Sequence, residues 1–162
     1  MTTSNHLPLR STFGKFATGV CVVIGVDQNL NKVGITINSY TSVSLDPALA
    51  LWCIGKESRL LSFFKNCTEY TINILNSEQS EISGFYARRG DHTVDESHVE
   101  YDESGSPRIK GAIATLKCEP AALHEAGDHF IVLGRIIDHS ETLEQNPLIF
   151  FSGKYLSHNA CA

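Results

Sequence analysis

Short apolar runs alternate with polar turns along most of the chain, and most of them have the length and composition of β-strands. The run from Val20 to Val26 is continuously apolar and rich in valine, which is typical of a buried strand. Similar runs follow to the end of the chain, and Pro120 inside one of them marks a kink or bulge. The pattern predicts about six or seven strands, at 20–26, 33–38, 48–54, 70–75 (half-buried), 109–123, 129–138 and 148–155.

Helical spacing of apolar residues is confined to short segments. It predicts an amphipathic helix over Pro8–Thr18. Ser58 can cap a second short helix that carries Leu60 to Phe64. Asn76 with Gln79 resembles a capping box that opens a third.

Few, short helices without a regular βαβ alternation favour a mainly β fold, a closed or partly closed antiparallel barrel, over a doubly wound sheet. The acidic stretch Asp91–Pro107 predicts an exposed loop. We expect one domain over the 162 residues, with a folded core at about 8–156 and a tail at each end.

Composition narrows the functional classes. The hydrophobic share is 42% and the net charge is −5, with both signs interspersed, so neither a disordered chain nor a nucleic-acid binder is indicated. No apolar run is long enough for a bilayer, and the first ten residues lack a signal-peptide core. We therefore expect a cytoplasmic protein with no membrane partner. The five cysteines form no C-x-x-C pair and are interpreted as mostly buried free thiols.

The richest candidate chemistry lies in Gly34–Pro47, where a strand pattern becomes crowded with hydroxyl and amide side chains. Such a segment can offer donors and acceptors to the edge of a flat heteroaromatic ligand. It is also typical of a strand that simply ends in a Ser/Thr loop.

Two further clusters have alternative interpretations. Lys56, Ser58 and Arg59 would suit a phosphate at a helix start, or they are solvated charges on a capped surface helix. His124 and His129 could bind a metal, although the H-E-x-x-H spacing is absent and we predict no metal. The sequence contains no G-x-G-x-x-G after a strand, no phosphate-loop motif and no G-x-S-x-G elbow.

Four segments, in this order and spacing, resemble the small flavin reductase family, whose fold is a split antiparallel β-barrel, the Greek-key-like FMN-binding split barrel. They are Phe16–Val20, Gly34–Pro47, Gly127–His129 and Pro147–Tyr155. The resemblance covers nearly the whole chain. It implies an NAD(P)H-dependent flavin reductase, a homodimer that supplies reduced flavin by diffusion to a partner flavin-dependent monooxygenase.

The resemblance also implies roles for matching positions. The flavin ring and ribityl chain would lie along Thr36, Ile37, Asn38, Ser39, Ser42, Val43 and Ser44. The flavin phosphate would lie near Cys53, Lys56, Ser58 and Arg59, and the outer part of the cofactor near Phe85, Arg88 and Arg89. The nicotinamide would meet catalytic His129, with Gly127, Asp128 and Tyr155 nearby.

Three positions depart from the family pattern: Ile37 where Ala is frequent, Tyr40 where Phe is common, and Glu57 beside the expected phosphate. The sequence does not distinguish FMN from FAD as the flavin, or NADH from NADPH as the nicotinamide nucleotide. A flavin- or haem-binding split-barrel protein without turnover is the alternative function.

Overall fold

The computed structural model describes residues 7–90, 92–142 and 145–156. The helices are α1 (Leu7–Phe13), α2 (Leu61–Asn66) and α3 (Ser80–Ala87), with a 3₁₀ turn at Glu96–His98. The strands are β1 (Thr18–Gly19), β2 (Cys21–Val26), β3 (Lys32–Ile37), β4 (Thr41–Leu45), β5 (Ala48–Gly55), β6 (Glu69–Ile74), β7 (Val99–Tyr101), β8 (Pro107–Ile109), β9 (Ala114–Ala126), β10 (His129–Glu141), β11 (Ile149–Phe151) and β12 (Lys154–Leu156).

Seven strands form the main sheet, in the order β3-β2-β6-β9-β10-β5-β4, with antiparallel pairing throughout. A second sheet has the order β1-β11-β12, and β7 pairs with β8 alone. The long β9–β10 hairpin turns at Gly127, whose φ of +63° suits glycine. The register shifts between the pairs Leu133–Ala122 and Gly134–Pro120, so the bulge predicted at Pro120 is confirmed.

Strand β2 is buried along its whole length because its two faces close two different cores. Cys21 and Val23 pack into a cluster around Trp52 and Tyr70, on the barrel side. Val22 and Ile24 face the opposite way and join a second cluster that includes Tyr86 from α3. This double burial explains the continuous apolar run in the sequence.

Strand β6 is more buried than its alternating sequence predicts, and the segment around 91–111 is the reason. Thr71 donates a 2.7 Å hydrogen bond to the Pro107 carbonyl. Asn73 accepts one from the Ile109 amide at 2.9 Å. The polar face of β6 is therefore covered, and the prediction of a half-buried strand is wrong.

The prediction that Asp91–Pro107 is an exposed loop is only partly correct for its described residues, because several exposed positions alternate with buried ones. They contain β7 and a 3₁₀ turn, and Val94 and Val99 lie in the second core. A few well-placed apolar residues fix the segment despite its acidic composition. Asp91 itself lies outside the described residues, as do Met1–His6 and Ser157–Ala162 of the predicted tails.

Three predicted boundaries need correction. Helix α1 ends at Phe13, short of the predicted Thr18, which already belongs to β1. Helix α2 begins at Leu61, so Ser58 lies in the turn before it. The last predicted strand is a hairpin, turned at Gly153.

The estimate of six or seven strands is too low, because short strands such as β1, β4 and β7 lack a long apolar run. The described residues form twelve strands. The predicted Asn76–Gln79 pair forms, since the Gln79 side chain accepts from the Asn76 amide at 2.9 Å. Helix α3 itself begins at Ser80 with Gln79 as its N-cap, so the pair lies in the turn before the helix and does not cap it. No helix within the described ranges is both long and apolar enough to span a membrane.

Candidate functional site

The first part of the candidate site is a cleft of about 200 Å³ between strand β3 and the C-terminal hairpin. One wall carries the end of β3, and the other carries the aromatic residues of β11 and β12. We call it the β3–β12 cleft; it is lined by Val20, Thr36, Ile37, Asn38, Ala87, Phe150 and Tyr155.

Buried contacts beneath the cleft fix its walls. Gly34 lies so close to Tyr86 that a Cβ there would come 2.5 Å from the ring. Thr36 donates a 2.7 Å hydrogen bond to the Ser83 carbonyl on α3. The Ser83 hydroxyl is 2.7 Å from the Tyr155 hydroxyl, so α3 holds both walls.

The identity of residue 37 has a clear structural consequence. Ile37 is 7% exposed and belongs to the barrel core. The branched side chain therefore packs into the barrel core, while Ile37 also contributes to the lining of the cleft. Tyr40 likewise packs against this core, and burial raises the pKa of its hydroxyl.

Ser39 links the end of β3 to strand β5 through a hydrogen bond. Its hydroxyl accepts a hydrogen bond from the Cys53 amide at 3.0 Å. The Cys53 thiol is half-buried, and burial raises its pKa. Gly55 follows Cys53 by two residues on β5, a distance of about 7 Å along the strand.

The second part of the site is a corner formed by Gly55, Lys56, Gly127, Asp128 and His129, which we call the His129 corner. His129 stands opposite Gly55 in the β5–β10 register. A Cβ on Gly55 would lie 3.8 Å from the imidazole Nε2. The Lys56 amide donates to the Asp128 carbonyl at 2.9 Å and ties the β5 end to the turn.

The Asp128 carboxylate orients the imidazole. Its Oδ1 is 2.7 Å from Nδ1 of His129. Because a carboxylate only accepts, Nδ1 carries the proton. In the neutral ring, Nε2 is then left as an acceptor beside Gly55, and it becomes a donor when the ring is protonated.

The predicted phosphate donors are only partly available. The amides of Lys56, Ser58 and Leu60 already donate to Asp128, Gly55 and the Ser58 hydroxyl, respectively. The predicted helix start therefore does not present these amides. The Lys56 ammonium pairs with Glu125 and holds the pKa of that carboxyl below its ordinary value. Arg59 and Glu57 are exposed.

Several sequence-predicted residues lie apart from the cleft and the corner. Ser42 and Val43 are exposed on the edge strand β4, and Ser44 is half-buried there. Phe85 packs edge-on to Tyr86 and His98, with ring centroids 4.9 Å apart in both pairs. Arg88 and Arg89 are exposed just beyond Ala87 of the cleft.

The two histidines of the metal alternative lie on neighbouring strands. His124 is opposite Ile131, and His129 is opposite Ala126. Within the part of the chain that the structure describes, no group of three or more His, Cys, Asp or Glu residues could hold a metal ion.

Comparison with known proteins decides the family. The family model "Flavin reductase like domain" matches residues 13–158. The FMN reductase (NADH) SmoA of Agrobacterium fabrum is 35% identical, over 93% of this chain and 85% of its own length. The flavin-dependent monooxygenase reductase subunit HsaB of Rhodococcus jostii is 33% identical, over 90% and 74%.

This chain belongs to the flavin reductase-like family.

A solved structure shows the same fold. The NADH:FAD oxidoreductase of Streptomyces globisporus, in complex with NAD and FAD fragments, superposes with a TM-score of 0.87 at 31% identity, over 96% of this chain and 94% of the other. The predicted family and split-barrel fold are thereby confirmed. The predicted activity class and cofactors agree with those named for these relatives.

Sequence reasoning missed several cleft residues of this flavin reductase-like protein. Val20 and Phe150 lie inside the family motifs and were available from the sequence. Ala87 and the buried Ser83 were not singled out, because their positions depend on how α3 packs against β3. A helix face is readable from spacing, but its partner strand is not.

Proposed function

We propose that this protein is an NAD(P)H-dependent flavin reductase that passes a hydride from a reduced nicotinamide to free FMN or FAD. The observation that carries the proposal is the β3–β12 cleft, joined through Ser39 and β5 to the His129 corner. The residues of the cleft and of the His129 corner all lie within the part of the chain that the family model matches. This membership supports assigning the two parts to flavin and nicotinamide binding.

The cleft residues fit a flat, polar-edged ring. Phe150 and Tyr155 supply aromatic surface, and their rings meet edge-on at 5.6 Å. Thr36 and Asn38 lie opposite, and the Asn38 amide is exposed and carries both a donor and an acceptor. An apolar wall with a few convergent polar groups is typical of cofactor sites.

The hydride chemistry is supplied by the two bound ligands, reduced nicotinamide as donor and flavin as acceptor. The protein contributes orientation and exclusion of water, which can remove much of a barrier. Residues 36–39 would hold the flavin ring. Arg59 and Lys56 would supply the cations for the flavin phosphate, with Arg88 and Arg89 at the outer part of the cofactor.

His129 would hold the nicotinamide carboxamide. Asp128 fixes the proton on Nδ1, so Nε2 can accept from the carboxamide NH₂. Because hydride transfer needs no general base, His129 acts here by hydrogen bonding and not by moving a proton.

We also propose that the protein works as a homodimer. Helix α1 buries none of its residues within one chain, and Phe13 and Phe16 are 69% and 78% exposed. Leu45 on the edge strand β4 is 97% exposed. Large exposed apolar side chains at two places favour a covered interface. Light scattering on Phe16→Glu should show a shift toward monomer, whereas Leu30→Glu, in an exposed turn, should leave the dimer intact.

One domain and a diffusible product complete the proposal. The two core clusters share strand β2, which supports a single folding unit over about residues 8–156. Reduced flavin would diffuse to a flavin-dependent monooxygenase, as the reductase-subunit names of relatives suggest. The cytoplasmic location stays a prediction.

The test is NADH and NADPH oxidation by purified protein, with FMN, with FAD and without added flavin. Oxidation that depends on free flavin supports the proposal. The relative rates then show whether the protein prefers FMN or FAD, and NADH or NADPH. Flavin or haem binding without oxidation of either nucleotide would favour the non-catalytic alternative.

A further inference from the structure

Ser83 has an unusual place beside the cleft. It is fully buried on α3, yet it contacts both cleft walls. Its carbonyl accepts from Thr36 of β3, and its hydroxyl meets Tyr155 of β12, each at 2.7 Å. Ala87, one turn later on the same helix face, lines the cleft itself.

Other contacts of Tyr155 among the described residues come from the C-terminal hairpin. Strand β12 has three residues and pairs with β11 only. The ring is 40% exposed and packs against Phe150. The bond to Ser83 links the Tyr155 side chain to helix α3, so it sets the ring's position at the cleft.

The same bond decides which part of Tyr155 a ligand meets. The hydroxyl is engaged with the Ser83 hydroxyl, and Ser83 has 0% exposure. A ring-shaped ligand in the cleft therefore contacts the aromatic ring of Tyr155 and not its hydroxyl.

We propose that Ser83 is a positioning residue for flavin binding, acting through Tyr155 and never touching the ligand. The proposal rests on the proposed flavin reductase function. Because removing either hydroxyl removes the same hydrogen bond, the proposal predicts that Ser83→Ala and Tyr155→Phe have similar effects on flavin affinity.

The test is a double-mutant cycle with Ser83→Ala, Tyr155→Phe and the pair. Flavin affinity is measured by fluorescence titration, and steady-state kinetics are measured in parallel. Each single variant should raise the flavin Kd and the flavin KM by about three- to tenfold, the range expected for one hydrogen bond. The value of kcat should stay within about twofold, and the pair should be no worse than either single variant.

Ser80→Ala is the matched control, since Ser80 lies one turn earlier on α3 and lines no part of the cleft. It should leave the flavin Kd unchanged. If Ser83→Ala does not fold, Tyr155→Phe alone tests the proposal. We expect this variant to fold, because it keeps the aromatic ring and Tyr155 is partly exposed.

Three results overturn the inference. Unchanged Kd in both variants would show that the bond does not position the ring. A much larger effect of Tyr155→Phe, multiplying in the pair, would place the hydroxyl on the ligand. If the unmodified protein binds no flavin, the cleft is not a flavin site and Ser83 cannot position a residue for flavin binding.

Failure of the proposed function looks different. Flavin binding without nicotinamide oxidation would refute the proposed reductase activity. The flavin Kd values of the variants would still test whether Ser83 positions Tyr155. Normal turnover with unchanged Kd in the variants would refute the role of Ser83 alone.

Discussion

The two parts of the candidate site are held in different ways. The β3–β12 cleft rests on buried anchors: Gly34 against Tyr86, and Ser83 between two strands. The His129 corner rests largely on exposed groups, with the His129 side chain 50% and the Asp128 side chain 95% accessible. Its side-chain contacts, Asp128 to His129 and Lys56 to Glu125, lie at the surface.

The difference separates a preformed part from an adjustable one. Buried contacts fix geometry before a ligand arrives, which lowers the entropy cost of binding. Exposed ion pairs contribute little and are screened by salt. We therefore expect the cleft to select the flavin and the corner to be completed when the nicotinamide, or a second chain, covers it.

The largest expected effect comes from breaking the preformed part. In Gly34→Ala the new Cβ would meet the buried Tyr86 ring at 2.5 Å, so β3 and α3 must separate. Overpacking of this kind costs about 1–3 kcal/mol. Thermal unfolding should show a fall in Tm, and titration should show weakened flavin binding.

Gly84→Ala is the matched control, since a Cβ there would meet nothing within 4 Å beyond its chain neighbours and the helix's own backbone. In a helix it should be neutral or stabilising by up to about 1 kcal/mol. Equal Tm values for the two variants would contradict a cleft fixed by the Gly34 contact.

The next effect separates the corner from the cleft. His129→Ala should slow nicotinamide-dependent flavin reduction by roughly tenfold, the value of a lost hydrogen bond at a binding site. Flavin affinity should change much less. Rapid-mixing kinetics and a flavin titration measure the two quantities separately.

His139→Ala, also exposed and at the far end of β10, controls for changes in the strand. A collapse of flavin affinity in His129→Ala, with turnover per bound flavin retained, would refute the assigned role.

A smaller effect is expected from Asp128→Asn. The amide oxygen can still accept from Nδ1, so the ring orientation is kept while the charge is lost. Because Asp128 is 95% accessible, the charge is well screened. We expect a two- to threefold increase in the KM for NADH, measured at saturating flavin. A loss as large as that of His129→Ala would show that the charge itself is essential.

Thiol labelling should give the mildest contrast. Burial raises the pKa of Cys21 and Cys118 to about 12 and of Cys67 to about 11, so these thiols stay protonated and unreactive at neutral pH. Cys53 is half-buried and should react first in a Cys161→Ser background. Flavin should slow that reaction, as mass spectrometry after timed alkylation would detect; labelling unaffected by flavin would place Cys53 outside the site.

The barrel body was largely predictable from the sequence. The apolar runs predicted strand β2, and the Asn76–Gln79 pair correctly indicated that a helix, α3, follows. Gly127 in the resembling segment Gly127–His129 lies at the hairpin turn, where a positive φ favours glycine. These features are local, so the sequence carries them directly.

The remaining features depend on contacts between distant segments. Phe85 was assigned to the cofactor's outer part, but it packs against Tyr86 and His98 because α3 turns that face inward. Ser83 has no local signature, since its role depends on two strands that are far from it in sequence. The segment around Val94 and Val99 was misjudged because two apolar residues outweigh many exposed acidic ones.

The most direct test of the central claim is single-turnover reduction under anaerobic conditions. Protein with bound flavin is mixed with NADH, and the loss of the flavin's visible absorbance is followed. We predict fast bleaching that slows in His129→Ala at equal flavin occupancy, while Gly34→Ala lowers the occupancy itself. Bound flavin that NADH and NADPH both fail to bleach would contradict the account.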